Sequence, residues 1–322
     1  MDKRQFLFGA VSSAILMASA QSNALAQNNP TNQTLRFVVA TPPGGASDTA
    51  ARLLAQSLAK HLGHPVVVEN KPGGNGVPAV QSVLAAPADG QTLLWAMSSM
   101  AAMPQLVKSS PVKSLAEFTA VTPVVNLIYG VFVNPKVPAK TLPEFSAYLK
   151  ANPDQLNYGT GALSEYMITM HYLHAAGLTA TRVPYKGGAQ LMPDLISGEL
   201  QFNIGPLAPA LPHVRSGKLR LLATLKNQGD FMQGIPSLAD FGIATDTLPT
   251  WNGLVAPPGT PSAVAARLSQ EVSRALDPAL RAALEAQGFQ VTGGRPQQMS
   301  AAIESATNFW RQFIRDYNIP QE

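Results

Sequence analysis

Cysteine is absent from the 322 residues. That excludes a disulfide framework, a thiol nucleophile and a zinc finger. Charge is sparse as well. Only 13% of residues are Asp, Glu, Lys or Arg, and the net charge of +4 is spread along the chain. No basic stripe suited to nucleic acid results. Past the N-terminal segment no apolar run approaches the roughly 20 residues of a membrane span, so the chain does not read as an integral membrane protein. What the sequence has in quantity is apolar residues, 46% of the total. That is enough for a sizeable core and argues against wholesale disorder. The length suggests about two domains.

The N-terminus has the layout of an export signal. Asp2-Lys3-Arg4 is a short, mostly basic start, Phe6 to Ala18 is apolar but too short to span, and Ala24-Leu25-Ala26 is a small-x-small cleavage pattern. Residues 1–26 are therefore read as a signal peptide cleaved near Ala26, and the product as an exported protein. Lys3-Arg4 leaves open whether export is by the general or the twin-arginine route.

From Leu35 onward, apolar strand-like runs alternate with helical patterns. The expected order is strand 35–40, helix 49–62, strand 65–69, helix 77–86 and strand 92–96, a rhythm that implies a parallel sheet covered on both faces. Two apolar runs meet near Val121–Val133, broken by Pro123 and Asn126. The rhythm then restarts. Thr141-Leu142-Pro143-Glu144 is a capping box, followed by strand 156–159, helix 164–176, strand 181–184, helix 191–197 and strands 199–204 and 219–225. Strand 253–256 and helices 262–276, 278–287 and 296–317 complete the chain. The expected fold is α/β and two-lobed: lobe one from 27–125 plus 253–322, lobe two from 126–252. Two chain crossings between them form a hinge, with a ligand cleft between the lobes.

Two strand-to-helix loops carry the same device. In the first, Pro42 to Asp48, Gly44 and Gly45 allow close backbone approach, and Ser47 or Asp48 can cap a helix whose free N–H groups favour an anion. The second is Tyr158-Gly159-Thr160-Gly161-Ala162-Leu163-Ser164. Facing each other, the two would clamp one carboxylate, or one at each end of a ligand. Each loop alone reads rather as an ordinary glycine turn, and it is the duplication that points to anion binding.

Eight motifs then make the sequence similar to the substrate-binding receptors of tripartite tricarboxylate transporters. They are Pro42-Pro43-Gly44-Gly45-Ala46-Ser47-Asp48, Val67-Val68-Glu69-Asn70-Lys71-Pro72-Gly73-Gly74, Asp89-Gly90-Gln91-Thr92-Leu93-Leu94, Asn157-Tyr158-Gly159-Thr160, Val183-Pro184-Tyr185-Lys186-Gly187, Asp194-Leu195, Gly217-Lys218-Leu219-Arg220, and Trp251-Asn252-Gly253-Leu254 with Ala256-Pro257-Pro258-Gly259-Thr260-Pro261. The resemblance implies a hinged periplasmic-binding-protein fold and a carboxylate ligand held by amides and hydroxyls of the two loops. It implies a monomer that delivers its ligand to an inner-membrane permease, with no cofactor, no metal and no catalysis. The expected ligand-binding residues are Pro43, Gly44, Gly45, Ala46, Ser47, Asp48, Tyr158, Thr160, Gly161, Ala162, Leu163 and Ser164. Thr160 stands for the family's usual Ser, and Ala162 and Ser164 stand for glycines, which changes the pocket floor. Ser98 and Ser99, after strand 92–96, are candidates for a second polar end of a dicarboxylate. Asp194 either holds the second loop or faces the cleft.

Other signals weigh less. Gly74-Asn75-Gly76-Val77-Pro78-Ala79 fits a dinucleotide pattern but lies off the first strand, with Pro78 early in its helix. His171 and His174 have metal-ligand spacing without an evident third ligand. A sensor subunit would share the same fold and site. An exported hydrolase would need a base near a nucleophile, and His61, His64, His171, His174 and His213 all lie outside the two loops. Trp95, Tyr129, Phe132, Tyr166 and Trp251 leave an aromatic ligand open beside aliphatic acids.

Overall fold

Three apolar runs open the described chain as strands. The strands β1 (Leu35–Val39), β2 (Val66–Asn70) and β3 (Thr92–Met97) pair in parallel through the helices α1 (Ala46–Leu62) and α2 (Val77–Leu84). The computed structural model describes residues 34–226, 232, 234–245 and 247–321. The export signal read at 1–26 lies outside them. From Leu35 onward the chain is one compact unit holding two sheets.

The first sheet is mixed, which corrects the parallel expectation. Its order is β11-β4-β10-β3-β1-β2, with β4 (Thr119–Leu127), β10 (Trp251–Ala256) and β11 (Phe289–Val291). The late strand β10 runs antiparallel between β3 and β4. Every one of its residues is buried, as a central strand covered on both faces requires. Pro123 and Asn126 do not break β4. Register shifts along its pairing with β10 accommodate the irregularity.

The second sheet has the order β7-β6-β8-β5-β9. Its strands are β5 (Tyr129–Val133), β6 (Asn157–Thr160), β7 (Thr181–Pro184), β8 (Phe202–Pro206) and β9 (Arg220–Thr224). Chain order leaves the first sheet after β4 and returns to it at β10. The two crossings are tied together: the Leu127 amide donates to the Thr250 carbonyl at 2.9 Å, and the Leu225 amide to the Tyr129 carbonyl at 2.9 Å.

The remaining helices are α3 (Met103–Leu106), α4 (Leu142–Ala151), α5 (Leu163–Ala175), α6 (Gly188–Ser197), α7 (Leu207–Arg215), α8 (Ser262–Ala275), α9 (Pro278–Ala286) and α10 (Pro296–Asp316). The last of these packs on β4 and on the turn 98–102, where the Trp310 indole N–H donates to the Ser98 carbonyl at 3.0 Å. Helix α7 goes beyond the sequence pattern, because Pro209 and Pro212 interrupt its periodicity. Strand β11 is too short, and β8 lies two to three residues later than expected. At Thr141 only half of the capping box forms. Its hydroxyl accepts the Glu144 amide at 3.3 Å, while the Glu144 carboxylate takes the Lys140 amide at 2.7 Å.

Asn252 fastens the centre of the first sheet. It is 1% exposed, and its Oδ1 accepts from Ser47 Oγ at 2.9 Å and Trp95 Nε1 at 3.3 Å. Asn252→Ala leaves two buried donors unpaired. It should lower the stability by about 2–4 kcal/mol, read from the midpoint of urea unfolding.

Candidate functional site

The second loop is built around a buried carboxyl. Strand β6 ends at Thr160, and α5 begins at Leu163. The Gly161 amide between them donates to Glu165 Oε2 at 2.6 Å. Asn203 on β8 braces the same loop by donating to the Gly159 carbonyl at 2.9 Å. Glu165 is 2% exposed. Burial pushes its carboxyl up to about 7, against the opposing hydrogen bonds from Gly161 and Asn203. The first-turn amides of α5 have no intrahelical partner, and Ala162 and Leu163 line a cavity together with Thr160 and Gly161.

That cavity holds about 180 Å³, roughly the space of six waters. Its second wall is the strand β7 and the turn after it, which contribute Arg182, Tyr185 and Lys186. Arg182 Nε donates to Thr160 Oγ1 at 3.0 Å, and its guanidinium lies 3.8 Å above the Tyr166 ring centroid. The Tyr185 hydroxyl donates to Asp194 Oδ2 at 2.5 Å. Among the described residues the lining thus holds two cationic side chains and no carboxylate.

The first sheet supplies the opposite wall through Ala40, Thr41, Met97, Ser99 and the turn Gly73–Gly76. All four residues of that turn have positive φ, from 51° to 96°, Asn75 included at 52°. Such a run is open to glycine and asparagine and strained for most residues. The segment that mimics a dinucleotide pattern is therefore a cavity wall. Thr41 Oγ1 is buried and has no hydrogen-bond partner.

Of the expected residues, Ser99, Thr160, Gly161, Ala162 and Leu163 come together at this cavity. The others are placed elsewhere, each for a visible reason. Asp48 accepts the Gly44 amide at 2.9 Å, Arg52 Nε at 2.9 Å and Asn70 Nδ2 at 2.7 Å. Burial raises its carboxyl, but these bonds and the Arg52 charge outweigh it and hold the group below its ordinary value. The Gly44 amide is thus occupied within its own loop. Helix α1 starts at Ala46 with Gly45 as its N-cap, so neither Ser47 nor Asp48 is the N-cap. Ser47 is committed to Asn252, Pro43 is exposed, and Gly44 borders a separate groove beside Ala189.

Ser98 Oγ donates to the Pro249 carbonyl at 2.7 Å. Tyr158 packs on Phe202, ring centroids 5.4 Å apart. Ser164 Oγ and the Tyr129 hydroxyl pair at 2.9 Å. Asp194 holds Tyr185, not the second loop. Arg182, Tyr185, Lys186, Thr41 and the Gly73–Gly76 turn are site-lining residues that the sequence reading does not include, although Tyr185, Lys186, Gly73 and Gly74 stand within quoted motifs. Of the histidines, His171 is engaged by the Tyr317 hydroxyl at 2.6 Å and the Ala244 carbonyl at 2.7 Å. None of the five lines the cavity.

Three loops meet at van der Waals distance beside the cavity. A Cβ at Gly161 would fall 2.2 Å from the Gly188 amide nitrogen, and one at Gly187 would fall 2.5 Å from Pro42 Cδ. Pro42 follows β1 in the first sheet, and Gly187 precedes α6 on the second.

A family model described as the tripartite tricarboxylate transporter family receptor matches residues 50–319. Protein BugT of Bordetella pertussis is 31% identical over 288 residues, 88% of each chain. The structure of R. palustris Rpa4515 with adipate superposes with a TM-score of 0.86 at 27% identity, covering 92% of this chain and all of that one. MatC from Rhodopseudomonas palustris with bound malate gives 0.80 at 26%, covering 88% and 99%.

The Pro42–Gly187 contact can be tested by paired substitution. Gly187→Ala drives a methyl into the proline ring, an overpacking that costs about 1–3 kcal/mol. Thermal unfolding of Gly187→Ala should move to lower temperature, and adding Pro42→Ala, which removes Cγ and Cδ, should return most of the loss.

Proposed function

The chain belongs to the tripartite tricarboxylate transporter receptor family, and from that membership we propose that it captures a small aliphatic dicarboxylate between its two sheets and hands it to a membrane permease. The family and the fold are those of binding proteins. The observation that carries the ligand class is the cavity lining: Arg182, Lys186, the Thr160 hydroxyl and the N-terminal amides of α5, with no acidic side chain among the described residues. One carboxylate takes the helix N-terminus and the Thr160 hydroxyl, where aligned amides and the helix dipole favour negative charge. The other lies toward Ser99, Thr41 and the Gly73–Gly76 turn, with ordered water filling the gaps.

Aliphatic ligands are favoured over flat rings. The Tyr166 face is covered by the Arg182 guanidinium, and Trp251 is not part of the lining. The ring that reaches the cavity is Tyr185, held by Asp194. Adipate and malate, bound by the two Rhodopseudomonas relatives, are both aliphatic dicarboxylates. Capture closes the two lobes about the crossings near Ile128 and Thr250. The site of action is the periplasm, after removal of residues 1–26.

Calorimetry with malate, succinate and adipate tests the reading. At least one should bind, and phthalate should bind more weakly. Arg182→Gln should weaken the preferred dicarboxylate about ten- to a hundredfold, since a hydrogen bond to a charged group contributes about 1.5–3 kcal/mol. A matched monocarboxylate, which uses the same helix end, should lose about as much. Unchanged affinity for both would move the first carboxylate away from Thr160 and Arg182.

A further inference from the structure

Glu165 is an acidic group in the last place an anion receptor would be expected to keep one. It is the third residue of α5, so it lies in the first turn of the helix whose N-terminus faces the cavity. The helix dipole there stabilises one negative charge, and two carboxylates at one helix end repel each other. Its side chain is buried, with Oε2 accepting the Gly161 amide at 2.6 Å and the Asn203 amide at 3.4 Å. On the other side, Oε1 lies 3.6 Å from where a Gly188 Cβ would be. The carboxyl is thus bonded to the Gly161 loop and lies beside Gly188 at the start of α6.

We propose that Glu165 shares the N-terminus of α5 with the bound anion and takes up a proton when that anion arrives, so that ligand capture by this receptor is proton-linked. The proposal rests on the carboxylate reading above and adds a regulation to it.

The surroundings decide the direction. Burial already holds the Glu165 carboxyl near 7, so in the empty protein at neutral pH the group is poised between its two forms. Tyr129 on β5, whose own hydroxyl is pushed up by burial and by the Glu165 charge, stands beside it through Ser164. Strand β8 presents neutral Asn203, and β6 presents Tyr158 and Thr160. The turn 98–102 that packs on α5 has only serines and apolar residues, and α6 begins with glycine. Arg182 and Lys186 are the cations of this wall, and both line the cavity. On α5 itself, His171 and His174 follow six and nine residues later, about 1.7 and 2.5 turns along the helix. An arriving carboxylate uses the same helix end and draws on the same cations, so the ionised form of Glu165 becomes more costly. The neutral acid keeps a carbonyl oxygen for the Gly161 amide, and the loop therefore keeps its shape.

The test is calorimetry of malate and adipate at about pH 7 to 8 in buffers of different ionisation enthalpy. Both ligands are fully ionised there, so any proton exchanged belongs to the protein. The expected result is uptake of about half a proton per ligand at pH 7, with Kd rising severalfold from pH 6.5 to 8.5. Glu165→Gln preserves an acceptor for Gly161 and should abolish both effects. If binding is independent of buffer and pH, or if Glu165→Gln behaves like the wild type, the proposal is overturned while the carboxylate reading stands. If no carboxylate binds at all, both fall. Should Glu165→Gln fail to fold, the pH dependence of Kd in the wild-type protein decides alone: a flat profile overturns the proposal.

Discussion

The site depends on one steric condition: three loops can approach within contact distance because Gly161 and Gly187 carry no Cβ. Pro42 at the end of β1 rests on Gly187, and Gly161 lies against Gly188. Two sheets that share only two chain crossings are brought together at this spot. Around it the cavity acquires walls from five separate segments: Ala40–Thr41, Gly73–Gly76, Met97 with Ser99, Thr160–Leu163 and Arg182–Lys186. A larger side chain at either glycine would alter both the packing of the loops and the volume they enclose.

The polar groups are divided between holding the loops and facing the cavity. Asp48, Ser47, Ser98, Ser164 and Asp194 are all spent inside the protein, on Gly44, Asn252, Pro249, Tyr129 and Tyr185. The cavity is lined by a glycine-rich backbone together with Thr41, Asn75, Ser99, Thr160, Arg182, Tyr185 and Lys186. Backbone amides read charge and shape without demanding a particular ligand. The few side chains, above all Arg182 fixed between Thr160 and Tyr166, are where discrimination among ligands can reside.

Much of the fold was legible because buried strands in an α/β protein are continuous apolar runs, as in 35–39, 92–97 and 251–256, and because the amphipathic helices carry clear stops such as Gly63 and Gly198. The antiparallel placement of β10 was not legible, since strand direction is set by partners far away in sequence. Helix α7 was hidden by its prolines. In the site, Thr160–Leu163 could be read as a strand, glycine and helix start. Ser47 and Asp48 are groups of the kind that bind ligands, and their three-dimensional partners, Asn252 and Arg52 with Asn70, could not be read from spacing. Arg182 was invisible for the converse reason: its position in an apolar strand gives no sign that its neighbours leave it beside a cavity.

The place of β10 at the centre of the first sheet has a consequence for the order of events in time. Strands β3 and β4 do not pair with each other; each pairs with β10. As the chain leaves the ribosome or emerges across a membrane, β1 to β4 are available long before residue 251. The five strands of the second sheet are all synthesised in that interval, and their ladders are made with one another. The second sheet can therefore close first, while the first waits as two unjoined parts, β1–β3 and β4, with apolar edges exposed on both. Any chain interrupted between residues 225 and 250 would carry a finished half and an unfinished half, and it is the unfinished edges that chaperones would have to cover.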